Sequence, residues 1–329
     1  MKLSRWRHVA LAASCIIALT ACKPTSQQKV VQPIDGVAQS LQPNALMDAV
    51  FGNMPQKVGA DVVRWRAHMD LPALSPAWLP GVAKASAPAS EAAAPAQPTD
   101  VWITPRQVVR ISDDQAALVF DSVAVDSQGA PAQEPNRQVW LGVAYFQRVP
   151  AGKASAPKEV GAAEQWKVVQ FQPFVDALGF RGQVGDSEVF KLSPSHFLVT
   201  FEPAHCEQGV CERRLYAYKL QAGQMEPVLR MPLSGSNIGA YTDCASRLLE
   251  EQTKPNKQPA AQHACYAIEG EPHLLSREMG DADVTVQQNG WLAVAGQPRK
   301  MVHVSQRYRL VDGQYRQISG TESPLGVEY

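Results

Sequence analysis

The chain has 329 residues, 45% of them hydrophobic, enough for a substantial core in one large or two ordinary domains. Its 31 basic and 31 acidic residues cancel, and the lack of any basic run excludes an electrostatic nucleic-acid footprint. Lys2, Arg5 and Arg7 fall in a leader expected to be removed, which leaves a net charge of about −3.

Residues 1–21 follow the order of an export signal: a basic start, the apolar run Val9 to Leu19, then small residues before Cys22. That run is far shorter than the roughly 20 apolar residues that span a bilayer. Leu19-Thr20-Ala21-Cys22 resembles the lipobox of bacterial lipoproteins, a resemblance confined to the leader and Cys22. It implies cleavage before Cys22, diacylation of the thiol and acylation of the new amino group. Palmitate-type chains, at ~0.8 kcal/mol per buried CH₂, then make the membrane anchor effectively permanent. In enterobacterial lipoproteins an Asp after the cysteine favours the inner membrane. Lys23 follows here, so the resemblance points to the outer membrane of a bacterial envelope, with the body facing the periplasm.

Residues 22–43 carry the lipidated cysteine and a polar, proline-bearing tether. In 44–82, Asn44 is expected to cap a short helix through Phe51, while Gly59 to Met69 fits a helix only partly and also alternates like a strand. The stretch 83–100 reads as a linker, because alanine and proline dominate it and cannot bury much. The pentapeptide at Lys84 to Pro88 recurs at Lys153 to Pro157, as drift of a biased loop composition would give.

Residues 101–329 read as a β-rich domain. VWITPRQVVRI, QAALVFDSVAV, QVWLGVAYFQRV and QWKVVQFQPF are strand-like, with Pro-, Gly- and Ala-rich insertions between them. The clearest grammar lies from Val189 to Leu233, where alternating runs and glycine turns predict a three-stranded meander. Tyr308 to Ile318 repeats the frame of Tyr218 to Leu229, and VVRIS…ALVFDSV aligns with VFKLS…FLVTFEP, so three related units are expected. Gln288-Asn289-Gly290 and Asp312-Gly313 are read as turns. Asp243 is expected to cap a helix from Cys244 to Gln252, followed by a strand near Cys265. The fold expected is mostly β: antiparallel meanders in an open sandwich or irregular barrel with a small N-terminal helical segment. A β-propeller is the alternative.

Four cysteines remain beyond Cys15 and Cys22. In an exported chain Cys206–Cys211 and Cys244–Cys265 are the favoured disulfides. Together with His205 and His263 they also supply zinc-ligating atoms, but not at the spacing of a finger or ribbon, and oxidation competes. His68, His196, His273 and His303 are scattered. Ser234 to Gly239 lacks the Gly-x-Ser-x-Gly spacing of a nucleophile loop and reads as a tight turn. Asp281-x-Asp283 offers too few oxygens for calcium and reads as a turn before Val284. Trp140, Tyr145, Phe146, Trp166, Phe171, Phe174, Tyr216 and Tyr218 fall mainly on strands, as core packing or as an aromatic sugar or peptide groove.

No catalytic residue, cofactor or metal is assigned. The reading is a lipid-anchored binding or scaffold module with an envelope-protein or cell-wall partner. Two alternatives remain: a periplasmic hydrolase of peptidoglycan or polysaccharide, and an inhibitor of lysozyme-like or protease enzymes.

Overall fold

The computed structural model describes residues 36–52, 55–58, 62–74, 97–134, 137–149, 164–245, 263–275, 282–294 and 297–325. The leader, Cys22, both KASAP pentapeptides, Asp281 and residues 246–252 of the expected helix lie outside them.

Two antiparallel sheets succeed one another along the chain. The first has seven strands: β1 (Val37–Ala38), β2 (Pro55–Val58), β3 (Val62–Leu71), β4 (Gln97–Arg110), β5 (Gln115–Ala124), β6 (Val139–Val149) and β7 (Gln165–Leu178). Their order is β1-β7-β6-β5-β4-β3-β2, with helix α1 (Pro43–Phe51) between β1 and β2 in the chain. The second has nine: β8 (Asp186–Ser193), β9 (His196–Glu202), β10 (Ala204–Glu207), β11 (Val210–Gln221), β12 (Gln224–Ser236), β13 (Cys265–Leu275), β14 (Asp283–Ala293), β15 (Lys300–Val311) and β16 (Gln314–Gly320). Its path is β16-β15-β14-β13-β12-β11-β9-β8, with β10 hairpinned onto β11. Neither sheet closes into a barrel, and two long sheets are not the blades of a propeller.

Strand periodicity explains the layers. In β5 successive side chains alternate between two buried environments. Ala116, Leu118 and Phe120 meet Leu46, Met47, Val50 and Phe51 of α1. Ala117, Val119 and Val123 meet Val199, Phe201 and Tyr218 of the second sheet. A strand buried on both faces must be nearly continuous in apolar residues, as QAALVF is.

β3 decides between the two readings of Gly59 to Met69 in favour of a strand. Trp65, Ala67, Met69 and Leu71 are buried at period two, while Arg64, Arg66 and His68 face the other way. β3 pairs along β4, and β4 begins at Gln97, inside the stretch read as linker. The helix starts one residue before Asn44, with Gln42 at the cap position and Pro43 in the first turn, where its missing N–H costs nothing.

A third core arises because the second sheet folds back on itself. β12 and β13 pair at only two positions, Gly235↔Ile268 and Ser236↔Ala267. Beyond them the strands diverge, and Leu198, Leu215, Ala217, Leu229, Met231 and Leu233 pack against Val284, Val286 and Tyr315. The order through the molecule is therefore α1, first sheet, β8–β12, and β13–β16.

Turn chemistry held at Gln208-Gly209 and Asp312-Gly313, two-residue hairpins with positive φ at both positions. It failed at Gln288-Asn289-Gly290. These residues sit inside β14, paired on both sides. Gly290 is there for close approach: a Cβ would lie 2.1 Å from the Ala267 carbonyl oxygen of β13.

Candidate binding groove

The fold-back leaves an open groove of about 410 Å³ between β8, β9 and β11 on one side and β13 and β14 on the other. Register builds its floor. Glu188↔Thr200↔Ala217 and Phe190↔Leu198 are cross-strand neighbours on one face. Leu215 extends this floor, and Pro272, Leu274 and Val284 close the far wall. The rim is acidic, with Glu188, Glu202 and Glu271 beside Arg213 and His273.

Arg213 is committed within the fold. It donates to Glu202 Oε2 at 2.7 Å, to Ser234 Oγ at 3.1 Å and to the Gly270 carbonyl at 2.5 Å. It thus ties β11 to β9, β12 and β13 at the point where the sheet folds back. Glu271 lies 4.0 Å from His273, and among the described residues no ion pair involves Glu188.

The far wall has its own clamp. Asp283, fully buried at the start of β14, receives Arg309 Nε on one oxygen at 3.0 Å. Its other oxygen takes Arg309 Nη2 at 3.1 Å and Arg307 Nε at 2.8 Å. Hydrogen bonds from Arg309, then Arg307, hold its carboxyl below the usual carboxylate range against the opposing effect of burial. Asp283 is thus a strand anchor that fixes Val284 in the groove, where the sequence suggested only a turn.

Other polar groups cluster between the sheets. Asp176 accepts the Tyr218 hydroxyl at 2.7 Å and is paired with Arg230. Burial, then the Asp176 charge, raises the Tyr218 phenol well above its ordinary value. Glu212 pairs with Arg214 through one oxygen, while the other is buried with no hydrogen-bond partner among the described residues. Burial raises its carboxyl pKa despite Arg214.

The cysteines are bonded as Cys206–Cys211 and Cys244–Cys265. The first joins directly opposed residues of the β10–β11 hairpin, whose tip glycine, Gly209, packs on Gly239 too closely for a side chain. Asp243 lies near the Cys244 and Cys265 sulfurs, but those are spent on each other.

The described histidines do not converge. His205 is buried and stacked on Phe180 at 4.8 Å, with Glu207 at 3.2 Å. His263 stacks on Tyr241 and meets Asp243, His68 meets Asp100, and His303 meets Asn289. His196 opens β9, and His273 alone of the set lines the groove. Ser234 and Asn237 act as a junction clamp: Ser234 Oγ accepts the Gly270 N–H, and Asn237 brackets the Ala264 carbonyl and the Tyr266 N–H. Trp140, Tyr145, Phe146, Trp166, Tyr216 and Tyr218 are buried, with Phe171 and Phe174 packed against the core beneath α1.

Sequence reasoning passed over Glu188, Glu202, Arg213 and Glu271. For the first three the only signal is a charged residue alternating with Phe190, Leu198 and Leu215 on the same strand face, and that signal acquires meaning once β13 is known to face them. The chain matches no family model, no curated protein and no solved structure.

Proposed function

We propose that this chain is a bacterial lipoprotein, anchored through Cys22 in the envelope, whose β body binds a partner in the groove between β8–β11 and β13–β14. The observation that carries the binding reading is the groove itself. A floor of Phe190, Leu198 and Leu215, faced by Leu274, opens to solvent between Glu188 and Glu271, combining apolar contact with charged orientation. The anchor reading rests on the order of basic, apolar and small residues before Cys22.

Two measurements test it. Metabolic labelling with a fatty-acid analogue should mark the native chain and not a Cys22→Ala variant; label retained by the variant refutes the anchor. A photo-crosslinking residue placed at Leu274 should give a discrete adduct in intact envelopes, whereas one at Arg316, exposed on the β16 edge, should not. No adduct at Leu274, together with release of cell-wall fragments by the purified chain, would replace binding with hydrolysis.

A further inference from the structure

We propose that the groove receives an extended, cationic–apolar peptide segment of a partner protein, which adds as a strand to the free edge of β8. This rests on the binding reading above and narrows it to a class of ligand.

The edge comes first. β8 is terminal in its sheet and pairs only with β9. Gln107 Nε2 donates to the Ser187 carbonyl at 2.9 Å from outside that pair, so the main chain of Ser187 points away from β9. Antiparallel pairing alternates inward and outward groups, so Val189 and Lys191 point the same way. Gln107 of β4 covers the edge at Ser187, where β4 approaches β8, and no described strand pairs with it beyond. An open edge of this kind is a template for another chain.

Groove and edge share the same residues. Glu188 and Phe190, on alternate positions of β8, form the near rim of the groove. A strand laid against β8 would place its alternate side chains about 5 Å from them. One apolar side chain then sits beside Phe190 at the mouth of the groove, and a basic one sits beside Glu188. Main-chain bonds supply affinity and the groove supplies side-chain selection, the division of labour in strand-addition complexes.

Charge identifies the occupant. Glu202 is already shared with Arg213, but Glu188 has no ion-pair partner among the described residues and Glu271 has only His273. Asp186 adds another carboxylate on the same strand. A cationic peptide relieves this field. A second copy of the chain would double it, and an anionic lipid or polyanionic glycan would be repelled.

The test uses the full-length chain in detergent micelles and fluorescent peptides of about eight residues, one strand in length. Anisotropy should show saturable binding of an alternating lysine–valine peptide and none of its glutamate–valine counterpart. Glu188→Lys combined with Glu271→Lys should weaken the first at least ~tenfold. Val189→Pro, which removes an outward N–H and leaves the β9 pairing intact, should weaken it comparably. Backbone N-methylation of the peptide should do the same, so the result stands even if the proline variant misfolds. Equal binding of both peptides, indifference to the charge reversals and N-methylation, or sedimentation as a dimer abolished by Val189→Pro would each overturn the proposal. An adduct at Leu274 without peptide binding would defeat this inference and leave the binding reading standing, while loss of both would defeat the two together.

Discussion

The carboxylate of Asp283 is sealed from solvent and bonded by two guanidinium groups. Its folded pKa is lowered, so the ionised form adds stability above the unfolded value, about 3.9, and that contribution is lost as pH falls through the folded value. Asp283→Asn should therefore lower the thermal midpoint by several degrees at pH 7, with the gap from wild type closing in strong acid. Melting curves across pH 2–7 check this, and a gap independent of pH would remove the ion triad from the account. Glu212 has the opposite sign: its pKa is raised by burial, so ionisation on rising pH works against the fold. One carboxylate dominated by its hydrogen bonds and one dominated by burial thus pull the pH profile in opposite directions.

Among the elements, β14 and the β10–β11 hairpin make the sharpest claims. In β14, Gly290→Ala forces a Cβ onto the Ala267 carbonyl; a cost of about 1–3 kcal/mol in urea unfolding is expected, as for other overpacked sites. A variant as stable as wild type would show that β13 and β14 have room to separate. The two disulfides differ in access. Cys206 is exposed, while Cys244 and Cys265 are both fully buried. Mild reduction and alkylation of the native protein should label Cys206 and Cys211 first, with the other pair protected until denaturant is added. By loop entropy the first bond contributes about 2 kcal/mol and the second about 3. Early labelling of Cys244 would contradict the buried placement.

For the whole molecule, the decisive feature is that both sheets share one core. Phe201, Tyr216, Tyr218 and Leu220 interleave with Val119, Leu141, Val143 and Tyr145, so neither sheet can lose its partner and keep its apolar face dry. Phe201→Ala should cost about 3–5 kcal/mol and destabilise both sheets in a single transition. Fluorescence can follow this, since Trp102, Trp140 and Trp166 report on the first sheet and Trp291 on the second. Separate midpoints from single-tryptophan variants would mean that the sheets unfold as independent units.

Local pattern carried much of this. Alternation in HFLVTFE and RRLYAYKL set strand and face together, because side-chain direction in a strand has period two. The even cysteine count and short separations brought out both disulfides, since loop closure favours near partners. Asp312-Gly313 was legible because left-handed backbone selects those residues. Asn289-Gly290 looked the same and was not a turn: the reason for its glycine is the carbonyl of Ala267, twenty-three positions earlier in the chain. Asp283 and Arg213 were opaque for a related reason, as their meaning lies in Arg307, Arg309, Ser234 and Gly270, which approach only when the strands are in register. The groove belongs wholly to tertiary structure. Each of its walls is an ordinary amphipathic strand, and only the divergence of β12 from β13 opens a space between Phe190 and Leu274.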